Sequence, residues 1–140
     1  MPTKRKKWRI KKPIIDWIKF DSWLEGDIYS SFMRWDIWNY TWVKELEWAK
    51  LISTETDKYT VVPWFKAWKK TFRNMIYTPD FIIKKKDWTI VILEVKSKWS
   101  AIKPDYRLRV KLFLSQYKDK LNFAELTNIK KWVYEYIEYF

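Results

Sequence analysis

The chain has no cysteine, no histidine and a single glycine among 140 residues. Without cysteine there is no disulfide framework and no thiolate metal site. Without histidine there is no imidazole, which excludes zinc fingers, Ser-His-Asp triads and histidine-based nucleases together. Any metal held by this chain must be a hard cation on oxygen ligands. No apolar run approaches the roughly 20 residues that a membrane helix needs; the longest candidate, Thr89 to Val95, is strand-sized. The basic start, Lys4-Arg5-Lys6-Lys7, is not followed by the apolar stretch of a signal peptide. These absences lead us to expect a cytoplasmic protein with no membrane partner.

What is present is a core and a great deal of positive charge. Hydrophobic residues make up 48% of the chain and aromatics 21%, which argues against disorder and for one folded domain. The net charge is +12, and it is unevenly spread. Lys4, Arg5, Lys6, Lys7, Arg9, Lys11 and Lys12 put +7 into the first 12 residues, with no acid among them. We therefore divide the chain into a basic arm, residues 1–13, and a single domain, residues 14–140. A basic arm on a mildly basic body is the electrostatic footprint of a polyanion binder. A passive solubilising tail is the alternative.

The scarcity of glycine has a counterpart, because the chain carries 12 tryptophans. Average usage near 7% would supply about ten glycines here. Asp87-Trp88 lies between two strand-like runs, where a hairpin asks for Asp-Gly because the second turn residue needs positive φ. Asp16-Trp17, Pro63-Trp64 and Lys98-Trp99-Ser100 also read as turns with tryptophan in glycine's place. Two readings are open. The chain is Trp-rich and stacks its indoles on bases, or UGA codons that specify glycine have been translated as tryptophan. On the second, which we adopt, Trp88 is expected at positive φ with an exposed indole, and Trp23 and Trp99 without dedicated packing.

Periodicity predicts a helix from about Ser22 to Trp38, N-capped by Asp21 or Ser22, with Leu24, Ile28, Phe32 and Trp35 on its buried face. Val43–Ser53 and Tyr59–Pro63 read as strands, followed by a basic loop with Lys66, Lys69, Lys70 and Arg73. Asn74–Lys84 and Thr89–Lys96 read as paired strands, then Asp105–Lys118 as a helix and Leu121–Leu126 as a core strand. Lys130–Phe140 is expected to be a terminal helix. This order fits an α/β domain with a mixed sheet.

The chemistry is concentrated in Pro79-Asp80 and, 14 residues on, Glu94-Val95-Lys96. Side chains alternate along a strand, so Glu94 and Lys96 project together, and pairing with the Asp80 strand gathers two carboxylates and an ammonium. The pattern ends the most apolar strand of the chain, where an unpartnered charge is costly. Two carboxylates and the Val95 carbonyl suit Mg²⁺ or Mn²⁺ with open positions for water and phosphate. Lys96 would orient or deprotonate the attacking water and offset developing charge.

Pro79-Asp80, Glu94 and Lys96 resemble the signature of the PD-(D/E)XK, restriction-endonuclease-like nucleases. Phe20-Asp21-Ser22-Trp23-Leu24-Glu25 is similar to the Phe-x-Ser-Gly-Leu-Glu pattern of phage endonuclease I, with Trp23 where that family has glycine. Tyr77-Thr78-Pro79-Asp80-Phe81 is similar to the same family's strand. Val61 to Tyr117 also resembles an uncharacterised phage-encoded branch, through Asp105-Tyr106-Arg107-Leu108 and Lys111-Leu112-Phe113. The resemblance spans roughly residues 17–126. It implies a central mixed sheet flanked by helices, a restriction-endonuclease-like core and Mg²⁺- or Mn²⁺-dependent DNA hydrolysis. It also implies Glu25 as a further catalytic and metal-site acid. Endonuclease I enzymes resolve Holliday junctions in recombination as homodimers, so branched DNA and a second copy of the chain are the partners it suggests. Open alternatives are a linear-DNA endonuclease or nickase and an inactive DNA-binding module. Lys69, Lys70, Arg73 and Lys111 join the arm as expected DNA contacts; for Lys111 an ordinary solvated lysine is equally open.

Overall fold

The computed structural model describes residues 11–54 and 57–139. The expected DNA contacts Lys4, Arg5, Lys6, Lys7 and Arg9 lie outside the described residues. In chain order the elements begin with β1 (Ile14–Ile15), β2 (Ile18–Lys19), α1 (Trp23–Met33), α2 (Ile37–Thr41), a 3₁₀ turn (Lys44–Leu46) and β3 (Lys50–Thr54). There follow β4 (Tyr59–Val62), β5 (Phe65–Ala67), β6 (Lys70–Phe72), β7 (Met75–Tyr77), β8 (Phe81–Lys84) and β9 (Ile90–Ser97). The chain continues with α3 (Lys98–Ala101), α4 (Pro104–Tyr117), β10 (Asn122–Lys130) and β11 (Val133–Glu138). No helix among the described residues is long and apolar enough to cross a membrane.

The centre is a mixed five-stranded sheet in the order β11-β10-β9-β8-β3, parallel only between β9 and β10. A parallel pair needs a crossover, and α3 with α4 supplies it. Alternation along β9 divides the protein into two cores. Val91, Leu93 and Val95 face one way and pack with Ile28, Tyr29 and Phe32 of α1. Ile92 faces the other way and meets Val110 and Phe113 of α4 together with Phe123. Phe20, Phe81, Phe113 and Phe123 are fully buried. Truncating any one of them to alanine should cost ~3–5 kcal/mol.

Local chemistry explains where the elements start and stop. The Ser22 hydroxyl accepts from the Glu25 N–H at 3.2 Å, an N-cap that fixes the entry to α1. The helix ends at Met33 instead of running to Trp38, because the Asp36 N–H turns back to the Ser31 carbonyl at 3.1 Å. Trp35, expected on the buried face, is therefore 70% exposed. The expected strand Asn74–Lys84 breaks into β7 and β8 at Thr78–Asp80, where Pro79 cannot donate to a ladder. The first part of Val43–Ser53 is the 3₁₀ turn, and the basic loop is the hairpin β5–β6, joined at Ala67↔Lys70.

The C-terminal segment corrects the sequence expectation outright. Val133–Glu138 is an edge strand paired antiparallel with β10, not a helix. Tyr134 and Tyr136 pack against the first core at a spacing of two, and a segment rich in Val, Ile and Tyr favours a pleated surface. The three- and four-residue spacing of aromatics in this stretch misleads.

Among the described residues seven tryptophans adopt positive φ: Trp17, Trp35, Trp42, Trp48, Trp68, Trp88 and Trp132. The only other described non-glycine residue to do so is Asp16. Trp88 has φ 72° and is 74% exposed. Trp23, Trp64 and Trp99 are exposed too, but their φ values are ordinary.

Candidate metal centre

The ladder between β8 and β9 ends at Phe81↔Leu93, so β9 runs beyond β8 with Glu94, Val95 and Lys96. The Val95 N–H, left without a β8 partner, donates to Asp80 Oδ2 at 2.9 Å. In an extended strand the N–H and C=O of one residue point to the same side, so the Val95 carbonyl faces that edge as well. Glu94 and Lys96 share the face of Ile92, under the start of α4. Their side chains form an ion pair, Lys96 Nζ to Glu94 Oε1 at 3.1 Å. The Tyr77 hydroxyl donates to the other Glu94 oxygen, Oε2, at 2.5 Å. The Lys96 ammonium also lies 4.9 Å from the centre of the Tyr106 ring.

Asp80, Glu94 and Glu25 are all buried. Burial pushes the Asp80 carboxyl well above its ordinary range, and the charges of Glu94 and Glu25 push it further; Lys96 and the Val95 N–H oppose them. Glu94 is raised by burial, against the pull of Lys96 and the Tyr77 hydroxyl. For Lys96, burial acts downward, but Glu94, Asp80 and Glu25 outweigh it and hold the ammonium up. Glu94 has two strong partners and Asp80 one backbone donor. Burial is therefore less compensated at Asp80 than at Glu94. Tyr77 is held far above the ordinary phenol range by burial and by Glu94, so it remains a donor.

Asp80, Glu94, Val95 and Lys96 are thus gathered by direct contacts, and Glu25, at the third position of α1, acts on Asp80 and Lys96 through its charge. The basic residues lie elsewhere. Lys69, Lys70 and Arg73 are exposed on and after the hairpin β5–β6, and Lys111 is exposed on α4. Lys11 and Lys12 are both exposed, and Lys12 pairs with Asp21 at 3.0 Å. Gln116 donates to the Val61 carbonyl and Tyr117 to the Thr60 carbonyl, which ties both to β4.

Three residues near the carboxylates escaped sequence reasoning: Tyr77 and Tyr106 as partners of the charged groups, and Glu125. Glu125 stands beside Glu94 in the β9–β10 register and is just as buried. It accepts from the Tyr139 hydroxyl at 2.5 Å and has Arg107 Nη1 at 3.9 Å. A carboxylate inside the apolar run Phe123–Leu126 was a readable signal, of the kind that singled out Glu94.

Among the described residues no group of three or more acidic side chains is drawn close enough to enclose a metal ion. Mg²⁺ does not ask for such a cage: it is held by one or two carboxylates and keeps several waters. Asp80 and Glu94 fit it as an all-oxygen pair, and burial raises both carboxyls, a cost that a bound cation would offset. No curated protein and no solved structure matches the chain. The pattern of one family matches residues 5–132, nearly the whole chain, and the protein belongs to that family, DUF1064, described as a protein of unknown function.

Proposed function

We propose that the protein is a metal-dependent deoxyribonuclease that hydrolyses phosphodiester bonds at Asp80, Glu94 and Lys96, on a restriction-endonuclease-like core. The observation that carries this reading is the junction at the start of β8: Asp80 bound to the Val95 N–H, with the ion pair of Glu94 and Lys96 alongside. Mg²⁺ or Mn²⁺ held by Asp80, Glu94 and the Val95 carbonyl would neutralise phosphoryl charge and acidify a water. The chain's own groups supply the rest. Tyr77 fixes one Glu94 oxygen, leaving its carboxylate oriented. Lys96, held protonated by the carboxylates around it, acts as a donor to the phosphoryl oxygens rather than as a base. Glu25 adds negative charge from the start of α1.

The +12 charge and the exposed Lys69, Lys70, Arg73 and Lys111 favour a polyanion, and the likeness of Pro79-Asp80, Glu94 and Lys96 to the nuclease signature is what points to DNA. The likeness of Phe20–Glu25 to endonuclease I makes branched DNA the first substrate to test. Purified protein is incubated with Mg²⁺ and supercoiled, linear, single-stranded or four-way-junction DNA. Cleavage that EDTA stops and Asp80→Ala abolishes supports the proposal, and preference for the junction supports the resolvase reading. No cleavage of any substrate with Mg²⁺ or Mn²⁺ overturns it.

A further inference from the structure

We infer that positions 17, 35, 42, 48, 68, 88 and 132 are glycine in the protein its own host makes, and that these tryptophans are UGA codons which that host decodes as glycine. The inference rests on backbone geometry, independently of the proposed nuclease activity. A left-handed φ is rare for a bulky residue and routine for glycine, which has no Cβ to collide with its own carbonyl. Seven such residues in one small domain, all of one type, are not scattered strain. Each occupies a position for which a standard turn specifies glycine.

Four of them close hairpins. Asp16-Trp17 joins Ile15↔Ile18 with both residues at positive φ (50° and 66°), the two-residue turn that takes Asn-Gly or Asp-Gly. Trp68 opens the two-residue loop between Ala67 and Lys70 at φ 54°, where such turns also take glycine. Trp88 follows a turn closed by its own N–H on the Lys85 carbonyl at 3.0 Å, and it occupies the left-handed position that precedes the return strand. Trp132 ends the two-residue loop between Lys130 and Val133 at φ 66°.

The others end helical turns. Trp35 follows the C-cap Arg34 at φ 62° and donates to Phe32, while Asp36 donates to Ser31. That pair of bonds is a Schellman motif, whose left-handed residue is usually glycine. Trp42 caps α2 at φ 56°, and Trp48 leaves the 3₁₀ turn at φ 63°. All seven indoles are exposed, from 58% at Trp132 to 98% at Trp17. Lys84 lies 4.1 Å from the Trp88 ring and Lys50 lies 5.4 Å from the Trp35 ring. Exposed rings among many lysines acquire such neighbours without having been selected for them.

The test compares full-length chains in denaturant unfolding, each position carrying Trp, Ala or Gly singly, together with a chain bearing glycine at all seven. Alanine removes the indole but keeps the Cβ, so it separates relief of backbone strain from loss of sticky surface. Glycine is expected to raise the folded-to-unfolded ratio over alanine by roughly fivefold at each position. The sevenfold glycine chain should also bind duplex DNA as tightly as the tryptophan chain. Reading the gene should find UGA at all seven codons. The inference falls if alanine matches glycine, if tryptophan is the most stable of the three, if the glycine chain loses DNA affinity, or if the codons are UGG.

Discussion

Asp80 gives the sharpest prediction, because its hydrogen bond and its electrostatics pull in opposite directions. Its carboxylate is buried beside Glu94 and Glu25, and one backbone donor, Val95, holds it. An uncompensated buried charge costs about 3–5 kcal/mol, and a hydrogen bond to a charged group returns about 1.5–3 kcal/mol. Ionised Asp80 therefore weighs on the metal-free fold by about 1–2 kcal/mol. Asp80→Asn keeps an oxygen for the Val95 N–H and removes the charge. It should raise the metal-free Tm by about 4–8 °C near pH 8. The folded pKa is raised, so the penalty is absent below the unfolded carboxylate range and grows as pH climbs through the folded value. Near about pH 4 the variant and the parent should therefore converge. Mg²⁺ at a hundredfold excess over its Kd should stabilise the parent by about 2.7 kcal/mol and the variant far less. Thermal melts followed by circular dichroism at several pH values, with and without Mg²⁺, make the measurement. An Asn variant less stable than the parent near pH 8, or a difference that ignores pH, would refute the reasoning.

Asp80→Ala, Glu94→Ala and Lys96→Ala should each reduce Mg²⁺-dependent cleavage to background while DNA binding in gel shift persists. Full cleavage by Asp80→Ala, or cleavage that survives EDTA, contradicts the mechanism. Deleting residues 1–12 removes +7 and should flatten the log–log dependence of DNA affinity on salt; an unchanged slope makes the arm a passive tail. Tyr77→Phe removes the hydroxyl that stabilises ionised Glu94, so the Glu94 pKa should rise. The acid limb of the cleavage–pH profile then moves to higher pH, and a limb that stays in place excludes Tyr77 as a partner in the reaction.

The site was legible where chemistry was unusual for its surroundings. Glu94 and Lys96 end an apolar run, and a strand's two-residue period suffices to put them on one face. The helix bearing Glu25 could be read from Ser22 and the Ile28–Phe32 stripe. Its true end could not, because the stop signal is a left-handed residue that the sequence gives as Trp35, a residue that looks like core. The terminal strand failed for a related reason. Aromatic residues at 132, 136 and 139 imitate a helical stripe, while the pairing with β10 that makes β11 a strand is a tertiary fact. The Tyr77–Glu94 bond joins residues 17 apart across two sheets, and no local pattern announces it. Glu125 was readable, since its burial beside Glu94 follows from a carboxylate in the middle of a core strand.

Position 88 and the candidate metal centre are linked through one turn. The hairpin of residues 85–89 joins β8 to β9 and sets the register Phe81↔Leu93, which leaves Asp80 opposite the Val95 N–H. A slip of one residue would turn Glu94 and Lys96 toward the α1 core and bring Val95 to the site. The left-handed residue at position 88 is thus part of what assembles the carboxylates, although it lies at the far end of the ladder. A β-branched residue is the worst occupant of that conformation, costing about 1–2 kcal/mol beyond glycine. Trp88→Gly should therefore raise Tm and leave Mg²⁺-dependent cleavage equal or higher. Trp88→Val should lower Tm and cut cleavage more than its loss of folded protein explains, because some folded molecules carry the wrong register. Cleavage per folded molecule, with the folded fraction taken from the melt, is the quantity to compare. Equal values for the Gly and Val variants would show that the turn does not set the register of Asp80 and Glu94.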